Sequence, residues 1–176
     1  MINRIAENAL KRLASQFPVV GITGPRQSGK STLAKMTFPN KQYLSFDDKT
    51  LREIASSNPK DFLLAFPDGA IIDEAQKVPE IFDAVKYYVD SEKSEPGKYI
   101  LTGSSQFKLK ENMSDSLAGR VAFLKLLPFT IEELKSNKIL AKNPYEAMIK
   151  GNYPPLHDVR RNFIPEDWFE NYIETY

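Results

Sequence analysis

Residues 24–31 read Gly24-Pro25-Arg26-Gln27-Ser28-Gly29-Lys30-Ser31, an unbroken G-x-x-x-x-G-K-S string. That pattern acts as a phosphate-binding loop only where a strand feeds into it and a helix leaves it. Both neighbours are present. Val19-Val20-Gly21-Ile22-Thr23 is an apolar run before the loop, and Ser31-Thr32-Leu33-Ala34-Lys35-Met36 after it reads as helix. Glycines let the backbone curl so that successive N–H groups face inward, and the helix N-terminus adds partial positive charge. Gly24, Pro25, Arg26, Gln27, Ser28, Gly29, Lys30, Ser31 and Thr32 are therefore expected to hold a nucleotide. Lys30 is expected to reach the β- and γ-phosphates, and Ser31 to offer its hydroxyl to Mg²⁺.

The 176 residues, 41% apolar and 27% charged, suit one globular domain with a sizeable core. A net charge of +1 gives no support to a nucleic-acid-binding surface. Lys135, Lys138, Lys142, Arg160 and Arg161 read as solvated helix faces. The chain has no cysteine, which excludes disulfides and thiol chemistry and fits a reducing, cytoplasmic setting. No apolar run approaches the ~20 residues of a membrane-spanning helix. The single histidine, His157, lies in a Pro-Pro loop and reads as a surface residue without a role.

Ile5, Ala9, Leu13 and Phe17, with Leu10, fall at helical spacing ahead of the first strand. Further strands are expected at Tyr43-Leu44-Ser45-Phe46, Ala70-Ile71-Ile72-Asp73, Tyr99-Ile100-Leu101-Thr102 and from Val121 to Leu126. A helix carrying Ile81, Phe82, Val85, Tyr88 and Val89 lies between the third and fourth, led in by Pro79. Alternation of this kind predicts an α/β fold, a parallel sheet sandwiched by helices. After Pro128 only helical patterns remain, around Ile131–Leu134, Tyr145–Ile149 and Trp168–Tyr172. The expected division is a core at 1–127 and a helical, lid-like segment at 128–176. The pattern still runs at Tyr176, as in a chain stopped early.

Strand three ends in Asp73-Glu74, one strand after the loop, where Asp73 can hold the Mg²⁺ shell and Glu74 can polarise an attacking water. Strand four ends in Thr102-Gly103-Ser104-Ser105. These hydroxyls either meet phosphate or, in the case of Ser104 and Ser105, cap the next helix, and spacing leaves both readings open. Asp47 and Asp48 follow strand two. Asp48 reads as the N-cap of a helix from Lys49 to Ala55.

The strings GPRQSGKSTL, IIDEAQKVPEIFDAVK, ILTGSS and SLAGR, in this order, resemble bacterial and archaeal AAA-type ATPases that typically carry a C-terminal nuclease-like domain. Ser45-Phe46-Asp47-Asp48 and Leu127-Pro128-Phe129 are similar to further segments of that family. Gly151-Asn152-Tyr153-Pro154 is similar to its Gly-Gly-x-Pro segment, with Asn152 in place of a glycine, the next-best residue where φ is positive. The resemblance implies a P-loop NTPase sheet in the order 5-1-4-3-2. It implies Lys30 and Ser31 as Walker A, Asp73 and Glu74 as Walker B, and Thr102 or Ser104 as a sensor. It also places Arg120 where the wider class keeps an arginine finger, with a surface arginine paired to a carboxylate as the alternative. The expected activity is Mg²⁺-dependent ATP hydrolysis coupled to conformational change or assembly. The expected partners are ATP and ADP, with a second copy of the chain or a further C-terminal domain. An ATP-held switch with little turnover and a small-molecule kinase are the alternatives.

Overall fold

The computed structural model describes residues 2–91, 95–104, 109, 111, 113 and 115–175. Its elements are α1 (Ala6–Ala14), β1 (Val19–Thr23), α2 (Lys30–Thr37), β2 (Gln42–Ser45), α3 (Lys49–Ser57), α4 (Pro59–Leu64), β3 (Ala70–Asp73), α5 (Glu80–Ser91), β4 (Tyr99–Thr102) and β5 (Val121–Lys125). They are followed by α6 (Ile131–Ser136), α7 (Pro144–Lys150) and α8 (Pro165–Glu174). The five strands form one parallel sheet in the order β2-β3-β4-β1-β5, which is the expected order read from the other edge.

Side chains of successive strand residues face opposite sides of a sheet, and the core divides accordingly. Val19, Ile72 and Leu101 pack on one face with Ala55, Phe62, Phe82 and Val85 of the helices α3, α4 and α5. Their chain neighbours Val20, Ile71 and Ile100 pack on the other, against Leu10 and Ala14 of α1 and Leu33 and Ala34 of α2. β1, β3 and β4 are buried along their whole length, as strands covered on both sides must be. Parallel pairing brings the carboxyl ends of β1, β2, β3 and β4 to one edge of the sheet, where ligands bind in such folds.

Three boundaries move by one residue. β2 begins at Gln42 rather than Tyr43 and ends at Ser45, although the Phe46 N–H still bonds the Asp73 carbonyl at 3.0 Å. β5 ends at Lys125, and the Leu126 N–H continues to the Thr23 carbonyl at 2.7 Å. In α1 the buried residues are Leu10 and Ala14, while Ile5 is exposed. Ile5 precedes the helix and Phe17 lies beyond its end, so neither belongs to the stripe. The short helix α4 has a sequence signal of its own, Asn58 as N-cap and Pro59 at the first position. Among the described residues no helix is long and apolar enough to cross a membrane. Tyr176 and Ser105 lie outside the described residues.

Candidate functional site

The loop between β1 and α2 takes its shape from two glycines. Gly24 has φ 148°, and a Cβ there would stand 2.0 Å from the Leu126 carbonyl oxygen. Gly29, at φ 92°, precedes α2 in the left-handed region, which side chains rarely adopt. Lys30 opens α2 and is only 6% exposed. Its ammonium turns back on the loop, donating to the carbonyls of Gly24 (3.0 Å) and Pro25 (2.7 Å). Burial lowers its pKa, while the negative charges of Glu74 and Asp73 act in the opposite direction. A buried cation whose partners are neutral carbonyls, beside a curled run of N–H groups, is the environment a phosphate chain fits.

Asp73, at the end of β3, accepts three hydroxyls. Ser31 Oγ donates to Oδ2 at 2.8 Å, Tyr43 Oη donates to the same oxygen at 2.6 Å, and Thr102 Oγ1 donates to Oδ1. Burial, with the bond to Asp73 adding to it, pushes the Tyr43 phenol up to about 12, so it remains a donor. Glu74 turns the chain at φ 55°, a left-handed conformation unusual for a side-chain-bearing residue. Its Oε2 accepts from Gln76 Nε2 (2.6 Å) and Ser104 Oγ (2.8 Å). Gly103 leaves room for this arrangement, because a Cβ there would lie 2.0 Å from Gln76 Oε1. Thr102 and Ser104 thus hold the two carboxylates, one each.

Lys30, Ser31, Thr32, Glu74 and Ser104 line a cleft of about 780 Å³ together with Arg26, Gln27 and Gly29 of the loop. Its far wall comes from the C-terminal region, with Pro154, Pro155, Asp158, Arg160 and Arg161. A second, more apolar cleft of about 440 Å³ shares Gly29, Thr32, Pro154, Asp158 and Arg160 with it and adds Ile2, Leu33, Met36, Phe129 and His157. Asp47, on the rim of the larger cleft, pairs with Lys77. Asp48 accepts the N–H groups of Thr50 (2.8 Å) and Leu51 (3.3 Å) and so caps α3.

Three expectations need correction. His157 is 8% exposed rather than a surface residue, because the 3-10 turn Pro154–His157 folds it inward. Its ring meets Phe129 edge-on, Nε2 is 2.9 Å from the Gly151 carbonyl, and burial lowers its pKa. Of the five cations expected on helix faces, Lys135 lies on α6, Lys138 and Lys142 lie between α6 and α7, and Arg160 and Arg161 lie in a turn at the cleft mouth, where Asp158 pairs with both. Hydrogen bonds from the Arg160 guanidinium and N–H, with the charge of both arginines adding a smaller part, hold the Asp158 carboxyl down to about 2. The positive φ of the Gly-Asn segment falls on Gly151 (65°), not on Asn152, whose carbonyl accepts the Phe129 N–H.

Arg120 stays outside the cleft. Its carbonyl accepts the N–H of Val19, the first residue of β1, whereas the loop follows the last. A five-residue strand, roughly 16 Å, separates the two ends. Its guanidinium forms a forked pair with Asp90, Nη2 to Oδ2 at 3.0 Å, which raises the arginine's pKa and lowers the aspartate's.

Arg4, Tyr43 and Gln76 are the residues that motif reading missed. The Arg4 side chain is 7% exposed and bonds Glu133 (3.0 Å), the Ser28 carbonyl (2.9 Å) and the Leu127 carbonyl (2.7 Å), tying the N-terminal segment to the loop and to α6. The visible trace of this brace is the T-x-x-E box Thr130–Glu133, a helix-start signature.

A family model described as AAA domain matches residues 16–135. An uncharacterized protein of Mycobacterium tuberculosis, Rv2008c, and its Mycobacterium bovis counterpart, Mb2031c, are each 31% identical over 98% of this chain. The chain spans 38% of the length of these curated relatives. Among solved structures, the Walker-type ATPase PABY2304 of Pyrococcus abyssi superimposes with a TM-score of 0.61 at 18% identity, over 99% of this chain and 72% of that one. Domain III of the Thermotoga maritima replication initiation protein DnaA does so with a TM-score of 0.54 at 18% identity, over 97% and 88%. These two likenesses carry the fold. With the phosphate loop, the carboxylate pair and the sheet order in place, the chain belongs to the AAA domain family of P-loop ATPases.

Proposed function

We propose that the cleft binds Mg·ATP and hydrolyses it, and that the nucleotide state changes the conformation or assembly of the protein. The observation that carries this reading is the convergence of Lys30, Ser31 and Glu74 on one cleft, with Asp73 buried behind it and bonded to Ser31 at 2.8 Å. The loop N–H groups and Lys30 hold the β- and γ-phosphates, Lys30 exchanging its bonds to the Gly24 and Pro25 carbonyls for phosphate oxygens. Ser31 and Asp73 fit a Mg²⁺ site of oxygen donors. When bound, the ion neutralises charge on the phosphates. Glu74 accepts a proton from water aligned with the γ-phosphate, while Gln76 and Ser104 fix its carboxylate. The apolar cleft of Ile2, Met36, Phe129 and His157 takes the base, since it opens beside Gly29 and Thr32.

Arg120 acts as a finger toward a neighbouring copy or a further domain, its distance from its own loop being the reason for action in trans. Hydrolysis in the isolated chain is then slow. A nuclease-like domain beyond these residues, as in the ATPases the sequence resembles, is part of the same proposal. The test is phosphate release from Mg·ATP without any added acceptor, in the wild type and in Glu74→Gln. The wild type should turn over, and Glu74→Gln should bind ATP and leave it uncleaved. Equal turnover in both would reduce Glu74 to a turn residue. Phosphoryl transfer seen only when a small-molecule acceptor is added would point to a kinase.

A further inference from the structure

Two of the three hydroxyls on Asp73 come from expected places, Ser31 from the phosphate loop and Thr102 from the end of β4. The third comes from the edge strand β2, which carries no nucleotide motif. Tyr43 reaches across to Asp73 Oδ2 at 2.6 Å, its ring packed against the core on the α2 face. The ammonium of Lys35 sits 4.3 Å from the ring centroid. The ring is therefore held on two sides while its hydroxyl ends on the carboxylate expected to serve the metal.

We propose that Tyr43 is a positioning residue for the Mg²⁺ site, an inference that rests on the Mg·ATP reading of the cleft. The carboxylate torsion of aspartate is broad and two-fold, so its oxygens need anchoring to point in one direction. Thr102 anchors Oδ1, and Tyr43 anchors Oδ2 on the side of Ser31. Ser31 then donates its proton to Oδ2 and keeps its lone pairs turned outward for the ion. Partners that orient a metal site from behind typically govern metal affinity by 10–100-fold. A tyrosine that merely satisfies a half-buried hydroxyl would instead influence stability alone.

The experiment uses the full chain and Tyr43→Phe, which keeps the ring and its contact with Lys35. ATP binding is measured by calorimetry in EDTA and over a Mg²⁺ titration, and Mn²⁺ binding in the presence of ADP by electron paramagnetic resonance. ATP affinity in EDTA should match the wild type, while the apparent affinity for either metal should drop about tenfold. In an Asp73→Asn background the same substitution should have no further effect on metal binding, because the group it positions is gone. An unchanged Mg²⁺ half-saturation in Tyr43→Phe overturns the proposal. So does an equal loss of ATP affinity with and without metal, which would mark a structural role. If wild-type protein gains no ATP affinity from Mg²⁺, the nucleotide reading itself fails and this inference falls with it.

Discussion

Glu133→Ala should be among the most damaging single changes in this chain, although it lies outside every nucleotide motif. Glu133 is 2% exposed, and both its oxygens are engaged. Oε1 accepts Arg4 Nε at 3.0 Å and the Ile5 N–H at 2.7 Å, and Oε2 accepts the Thr130 N–H at 2.9 Å. The substitution leaves the Arg4 guanidinium, 7% exposed, without its anion. Removing one partner of a buried ion pair costs about 3–5 kcal/mol. At ~2–4 °C per kcal/mol for a chain of this size, the melting temperature should fall by roughly 6–20 °C. Thermal and urea unfolding followed by circular dichroism measure it. Because Arg4 also bonds the Ser28 carbonyl in the phosphate loop, Mg·ATP affinity should fall as well. The double variant Arg4→Met, Glu133→Leu should recover only the part due to the unpaired charge, since the Ile5 and Thr130 N–H groups and the Ser28 and Leu127 carbonyls still lose their side-chain partners. A loss below about 1 kcal/mol in Glu133→Ala, the level of an exposed pair, would show that the Arg4–Glu133 pair does not brace the fold.

Asp48→Ala removes the cap of α3 and should cost about 1 kcal/mol in urea unfolding, with Mg·ATP affinity unchanged by calorimetry. For His157 the sign follows from burial, which lowers the folded pKa below 6.5. The unfolded chain takes up a proton near 6.5 and the folded chain only at lower pH, so the stability of the neutral state is complete above 6.5 and is lost as pH falls through the folded value. The wild-type melting temperature should therefore decline below that pH more steeply than that of His157→Phe, and identical profiles would contradict the assignment. Arg120→Ala and Glu74→Gln should each be inactive in phosphate release, and a mixture of the two should regain activity if Arg120 serves a neighbouring copy. Wild-type activity in Arg120→Ala alone, with no gain on mixing, would leave Arg120 as the partner of Asp90.

The strands were legible because buried parallel strands are short apolar runs, and because the loop motif fixes which run comes first. Ile71 and Ile72 illustrate the limit: strand alternation puts them on opposite faces, but only the structure shows that α1 and α2 cover the face of Ile71 and α3, α4 and α5 that of Ile72. Asp73 and Glu74 were readable from their place at a strand end. Of the residues that aim them, Thr102 and Ser104 were visible at the end of strand four, whereas Tyr43 and Gln76 were not, since Tyr43 lies in another strand and Gln76 in a 3-10 turn, and neither contact follows from spacing. His157 and Arg160 were misplaced because a Pro-Pro turn has no periodicity from which to read its inner side. Arg4 escaped for a similar reason, its partner Glu133 standing 129 residues away.

Calorimetry of Mg·ATP against the wild type and Lys30→Ala tests the central claim most directly. Lys30 is the buried cation on the loop, and a charge-assisted contact of this kind governs at least about a tenfold change in affinity. The wild-type chain should bind one nucleotide, and Lys30→Ala should bind it at least ~10-fold more weakly. Equal affinity in the two proteins, or no binding by the wild type, would contradict the central claim.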